Sequence, residues 1–199
     1  MGRLGEEETG RLFVYIVNKN DVGQFIIYLC PVGELNTQLE TYFARSRQLC
    51  GENTAHKYMP HCTLTGFFED RVDAIVLYIQ ALSQAYTNAK NNSSDFNIEI
   101  NQLTFNDRWH GLEIQAPLIQ SLIADFAGLE NSSTRTEDLR LKDWLHLSLA
   151  YGFDPQQPEK LQTLALETIS IDASVDWELR FYQKYPDWSW QCHQSWQLS

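Results

Sequence analysis

Apolar positions along this chain recur with two periods, and the period changes mark its elements. Residues 12–17 and 24–29 are apolar runs separated by the turn-rich 18–23, which predicts a hairpin or two successive strands. Across 34–50, Leu35, Leu39, Tyr42, Phe43 and Leu49 fall at helical spacing, and Gly51 suits the stop. A second helix is predicted over 70–86 from Val72, Ile75, Val76, Ile79 and Leu82, followed by a polar loop at 88–95. Phe96, Ile98 and Ile100 alternate as a strand does, and Leu112, Ile114 and Ala116 alternate again after a turn at Asn106-Asp107. A third helix is expected over 117–129, started by a proline, and a fourth over 155–168 packed through Leu161, Leu164 and Ala165. Residues 130–138 read as a polar loop. Residues 175–181 and 188–198 read as a closing antiparallel pair. Strands and helices mixed twice over predict an α+β fold of two similar lobes.

Two stretches stand out because each resembles the other. Pro60-His61-Cys62-Thr63-Leu64-Thr65-Gly66-Phe67-Phe68 and Leu145-His146-Leu147-Ser148-Leu149-Ala150-Tyr151-Gly152-Phe153 both run histidine, apolar residue, hydroxyl residue, leucine, in an apolar setting with a glycine nearby. Each reads as a buried strand that ends in a turn. Residues i and i+2 of a strand share a face, so His61 sits beside Thr63 and His146 beside Ser148, while Cys62 and Leu147 point into a core. Recurrence over 146 − 61 = 85 residues implies a duplicated half-domain. Its two equivalent strands are expected close together, with four polar side chains converging.

Composition narrows the partners. The 199 residues suit one domain of two intimately packed lobes (11–199) behind an acidic tail (1–10) carrying Glu6, Glu7 and Glu8. A net charge of −11 opposes a long phosphate backbone, whose binding is driven by Lys and Arg, so any nucleic-acid substrate should be small. Cys30, Cys50, Cys62 and Cys192 are dispersed without a CxxC pair, which argues for a reducing compartment. No run approaches the roughly 20 apolar residues that span a bilayer, and the first residues lack a basic and then apolar leader. The expectation is a cytoplasmic monomer with no membrane partner; the sequons at Asn92 and Asn131 then read as plain loop residues.

Two histidines facing one another, each with a hydroxyl neighbour, suit phosphoryl chemistry without a metal or cofactor. One imidazole can take a proton from an attacking water while the other gives one to the departing oxygen, and Thr63 and Ser148 can hold the non-bridging oxygens. One His-x-Thr in a strand is ordinarily a hydrogen-bonded core or edge histidine. Two in matching contexts share a single explanation, duplication. A zinc site built from Cys50, His56, His61 and Cys62 fits by residue type, but the spacing matches no usual ligand pattern and Cys62 alternates away from His61. Phe67, Phe68 and Tyr151 follow the motifs and, with Tyr28 on a neighbouring run, are candidates to line the cleft or stack on a base. Lys57 and His56 precede the first motif and are candidates to meet a phosphate. Trp109 and Trp144 read as core, and His110 and His193 as surface residues.

The pair His61-Cys62-Thr63-Leu64 and His146-Leu147-Ser148-Leu149 resembles the two His-x-Thr/Ser-x-hydrophobic signatures of the 2H (two-histidine, LigT-like) phosphoesterases. Within that superfamily, Leu29 to Gly33, Cys50 to His56, Pro60 to Leu64 and Trp177 to Tyr182 are similar to the phosphodiesterase domain of the T-cell ubiquitin ligand proteins, over roughly residues 23–185. The resemblance implies a bilobal, pseudo-twofold fold and metal-independent hydrolysis of a small cyclic phosphate, most often a nucleoside 2′,3′-cyclic phosphate or an RNA end. His61 and His146 would be acid and base, and Thr63 and Ser148 the phosphate ligands. A 2′,5′-linked oligonucleotide, an ADP-ribose cyclic phosphate, or nucleotide binding without catalysis are the alternatives. The multidomain relatives carry ubiquitin-binding, SH3 and histidine-phosphatase domains for which 199 residues leave no room, so their signalling role is not expected here. Ser148 stands where many relatives have Thr, which keeps the hydroxyl and loosens its rotamer.

Overall fold

A computed structural model describes residues 21–93 and 95–198; the acidic tail at 1–10 and the apolar run at 12–17 lie outside the described residues. The order is β1 (Val22–Val32), α1 (Glu34–Cys50), a 3-10 turn (Thr54–Lys57), β2 (Cys62–Thr63), β3 (Phe68–Arg71), a second short 3-10 turn, then α2 (Ile75–Asn92). There follow β4 (Glu99–Phe105), β5 (Trp109–Gln115), α3 (Pro117–Leu129), β6 (Leu145–Tyr151), α4 (Pro158–Thr168), β7 (Asp176–Lys184) and β8 (Trp190–Gln197). The strands form an antiparallel sheet in the order β4-β5-β6-β2-β1-β7-β8, with β3 also paired to β1. The α+β class holds. One lobe carries β4 to β6, the other β1, β2, β3, β7 and β8, and they meet where β2 pairs with β6.

The strands' alternation explains the layering. Phe25, Ile27 and Leu29 of β1, Cys62 and Leu64 around β2, and Leu145, Leu147 and Leu149 of β6 all join one large core with the helices. That core takes Leu35, Leu39, Tyr42 and Phe43 from α1, Tyr78 and Leu82 from α2, Ile119, Leu122 and Phe126 from α3, and Leu161 and Leu164 from α4. The alternate β1 residues Ile26, Tyr28 and Cys30 form a smaller cluster on the other face with Tyr182. With both faces covered, β1 is apolar without interruption from Phe25 to Cys30, as a central strand should be. Thr65 bridges the handover from β2 to β3: its buried hydroxyl accepts the Ile27 N–H at 3.2 Å, while Leu64 N–H bonds the Ile27 carbonyl at 3.0 Å.

Several boundaries differ from the sequence expectation for local reasons. Asp70 belongs to β3, not to the second helix, because its buried carboxylate accepts the Tyr78 hydroxyl at 2.6 Å, the Ser132 hydroxyl at 2.5 Å and the Arg71 N–H at 2.7 Å. The helix therefore begins at Ile75, and it continues to Asn92 through the expected loop because Asn88 is tied to Gln84 one turn back at 2.8 Å. Asn97, with φ +43°, interrupts the alternation of Phe96 and Ile98, so β4 starts at Glu99. A turn closed from Gln157 N–H to the Asp154 carbonyl delays α4 until Pro158. Among the described residues no helix is long and apolar enough to cross a membrane.

Candidate active site

The seam between the lobes positions the motif residues. Cys62 pairs with Leu147 in antiparallel register, so continuing the ladder sets His61 opposite Ser148 and Thr63 opposite His146. All four side chains project on the face away from the helices, and all four line one cavity of about 220 Å³ with Phe43, Tyr58, Met59, Trp109 and Tyr151.

The two imidazoles are held differently. His61 Nδ1 lies 2.8 Å from the Met59 carbonyl, which can only accept, so Nδ1 carries the proton and Nε2 is left with a lone pair. Its ring lies over Tyr28, centroids 3.8 Å apart. Burial pushes the His61 pKa down to about 4, against the pull of the Met59 bond and with help from the nearby His146. His146 stacks on Trp144 with centroids 4.0 Å apart, and meets Trp109 edge-on at 5.2 Å. Burial lowers its pKa too; Lys142 adds to the lowering, while the Trp144 backbone and the Glu113 carboxylate oppose it. His146 Nδ1 is buried and meets at most a loose contact from the Trp144 backbone, where His61 Nδ1 has a well-formed bond to Met59. Glu113 pairs with His146 across β5 and β6 and accepts the Thr104 hydroxyl at 2.6 Å.

Ser148 is oriented by an indole. Trp109 Nε1–H donates to the Ser148 hydroxyl at 2.9 Å, which occupies a lone pair and leaves the hydroxyl proton free for another acceptor. The indole reaches it by folding back over Gly111: a Cβ there would stand 2.2 Å from the Trp109 ring and 2.5 Å from the Leu147 carbonyl. Gly111 is thus required by two close approaches at once.

Tyr151 owes its place to an irregularity. Gly111 pairs with Ser148 and His110 with Ala150, leaving Leu149 as an extra residue in β6. Leu149 and Ala150 then both face the core, and Tyr151 is turned to the cleft side, where burial pushes its hydroxyl up to about 12.

Several sequence expectations change here. Trp144 is 54% exposed and packs on His146, and Trp109 is half-buried in the cavity wall, so neither is core. Trp144 had a signal, since residues 144, 146 and 148 share one strand face; Trp109 had none before the β5–β6 pairing was known. His110 is 1% exposed, wedged against Phe105 and Phe153 on the core face of β5, and His193 is half-buried against Phe25 and Phe181 with a bond to Gln183. Phe68 is core, where it contacts Phe25 and Tyr78. Tyr28 is covered by His61 and supports that ring instead of offering a free face to a base. His56 bonds Ser46 and Asn53, closing a capping box, and Lys57 lies over Trp188 at 5.2 Å. Phe67 lines an adjoining arm of the cleft. Among the described residues no group of three or more His, Cys, Asp or Glu side chains converges as a metal site.

No family model matches the chain. Among curated proteins it is 30% identical to ecdysteroid-phosphate phosphatase of Drosophila melanogaster over an aligned 198 residues, covering 82% of this chain and 26% of that one. It is 29% identical to ubiquitin-associated and SH3 domain-containing protein B of Mus musculus over 168 residues, 81% of this chain and 25% of that one. The chain thus spans about a quarter of the length of these relatives. Among solved structures, E. coli LigT, crystallised with ATP, superposes with a TM-score of 0.46 at 12% identity, over 90% of this chain and 99% of the other.

Proposed function

We propose that this chain, a homologue of the ubiquitin-associated and SH3 domain-containing (T-cell ubiquitin ligand) proteins and of ecdysteroid-phosphate phosphatase, is a two-histidine phosphodiesterase that opens a small cyclic phosphate. A nucleoside 2′,3′-cyclic phosphate, free or at an RNA end, is the substrate that suits it best. The observation that carries this reading is the convergence of His61, Thr63, His146 and Ser148 in one cavity from two paired strands.

The roles divide by the different settings of the imidazoles. His61, its proton fixed on Nδ1 by Met59, offers Nε2 as the base that takes a proton from water. The oxygen of that water forms the new bond to phosphorus, and the bond from phosphorus to one ribose oxygen breaks. His146, whose pKa is lowered less far than that of His61, gives its proton to that departing oxygen. Both histidines are then poised for the reverse transfer, and solvent resets them. Thr63 and Ser148 donate to the non-bridging oxygens, with the Ser148 proton released for this duty by the Trp109 indole. Tyr58 and Tyr151 flank the space beside the phosphate and supply flat surfaces for a base.

The test is a screen of the purified protein against the four nucleoside 2′,3′-cyclic phosphates with chelator present, resolving 2′- from 3′-phosphate products. Parallel samples of a 2′,5′-linked oligoadenylate and ADP-ribose cyclic phosphate address the alternatives. Turnover of one or more cyclic nucleotides that persists under chelation is the expected result. Tight nucleotide binding with no turnover of any of these would replace the enzyme with a binding module.

A further inference from the structure

Beside the catalytic cavity lies a second arm of about 270 Å³, lined by Ile26, Gly66, Phe67, Arg140 and Lys142 as well as by Tyr28. It shares Tyr58, His61, Thr63 and Tyr151 with the first, so the two arms meet at the reacting position. No acidic residue lines it.

Backbone bonds build this arm's basic wall. Gly66 N–H bonds the Arg140 carbonyl at 2.7 Å, Lys142 N–H bonds the Leu64 carbonyl at 3.0 Å, and Thr65 pairs with Leu141 between them. Residues 140–142 are therefore laid in register along the continuation of β2, and Arg140 and Lys142, two apart, fall on one side. The Arg140 guanidinium lies flat on Gly66, 3.0–3.1 Å from where a Cβ would stand, and its Nη2–H donates to the Phe67 carbonyl at 3.0 Å. That pins the fork, and among the described residues its other N–H groups have no side-chain partner. Lys142 stands near enough to His146 to act on its charge. Among the described residues neither cation forms an ion pair, although acids outnumber bases in the chain by 26 to 15. Two unneutralised cations facing one cavity with no acid in it form a receptor for an anion.

We propose that Arg140 and Lys142 bind a second phosphoryl group of the substrate, so that the preferred cyclic phosphate also carries a phosphoryl group on its 5′ oxygen. This rests on the phosphodiesterase reading above. The scissile phosphate sits among the histidines, and the second anion occupies the neighbouring arm one ribose away. A free 5′-monophosphate and the 5′ phosphodiester of a longer RNA end share this chemistry.

The experiment compares kcat/KM for adenosine 2′,3′-cyclic phosphate, its 5′-phosphorylated form, and a diadenylate ending in a 2′,3′-cyclic phosphate, in wild type, K142Q and R140Q. Wild type is expected to favour the two compounds with a 5′ phosphoryl group by about tenfold or more, as for a charge-assisted contact. Each variant should bring that ratio toward one. Using the ratio cancels any effect of Lys142 on His146, which acts on all three substrates alike. K142Q loses no hydrogen bond of its side chain, so it remains informative if R140Q, which loses the Phe67 bond, proves unstable. Preference for the monophosphate alone, or for the diadenylate alone, identifies which source is read. A wild-type ratio near one, or variants that slow all substrates equally, overturns the proposal while the phosphodiesterase reading survives. If no cyclic phosphate is turned over, calorimetry with adenosine 2′-phosphate and adenosine 2′,5′-bisphosphate in the same proteins still decides it: equal affinities in wild type would overturn it.

Discussion

The indole N–H of Trp109 donates to the hydroxyl of Ser148 at 2.9 Å, across the strand pair that carries the second motif. Trp109→Phe keeps the ring and removes only that donor. A neutral hydrogen bond is worth about 0.5–1.5 kcal/mol, so turnover should fall by a few-fold to about tenfold. In the Ser148→Ala background the same change should have little further effect, because the two residues act through one bond. Full additivity in that double-mutant cycle would show that the indole does something other than orient the hydroxyl.

His61→Ala and His146→Ala should each lower turnover by roughly 10²- to 10⁴-fold, the usual contribution of a positioned acid or base. The double variant should fall well short of the product, since the pair acts as a unit. Unchanged turnover in either folded single variant would remove that histidine from the mechanism.

The pH profile follows from the two imidazoles. The base works unprotonated, and His61 is held down to about 4, so the acid limb of kcat/KM should lie far below the ordinary imidazole value of 6.5. The acid works protonated, and His146 is also lowered, so the alkaline limb should begin below 6.5. A bound phosphate anion favours both charged forms, which should displace the kcat bell to higher pH. The limbs belong to the coupled pair, and each single variant should lose one.

Stability should carry the same signature. A histidine whose folded value lies below its unfolded one takes up a proton on unfolding. Its contribution is therefore present above about 6.5 and is lost as pH falls toward 4. Denaturant midpoints measured from pH 7 to pH 4 should decline in wild type and decline less in His61→Gln. Parallel curves would mean that His61 is not buried neutral.

Leu147 lies at the base of the site, fully buried between His146 and Ser148 and paired with Cys62. Leu147→Ala should cost about 2–5 kcal/mol of unfolding free energy, read from chemical denaturation. A loss under about 1 kcal/mol would indicate that the seam can collapse around the gap.

The two motif strands, the helix at 34–50 and the helix at 117–129 were legible because each has one clear period and a local stop. What escaped was nonlocal. Tyr151 is a cleft candidate from its place after the motif, but the extra Leu149 in β6 that turns it there, against strict alternation from Ser148, has no local signal. His110 is buried only because its neighbour Trp109 faces the cleft, and that follows from pairing across to β6. Aromatic character alone suggested that Trp109 and Trp144 were core, yet each is spent on a polar partner, Ser148 and His146. Arg140 and Lys142 carried no periodic signal, because their position is set by bonds to residues 64–66, more than seventy places back in the chain.

The join between the lobes is narrow: β2 has two residues and meets β6 through the Cys62–Leu147 pair. Thr63 belongs to one side of that join and Ser148 to the other. A phosphoryl group gripped by both hydroxyls would work as a rivet, fastening the halves at their thinnest line. The amides of residues 62–63 and 145–148 should then exchange hydrogen more slowly in a nucleotide complex than in the free protein. Slowing spread evenly over the sheet would mean that the grip lies elsewhere.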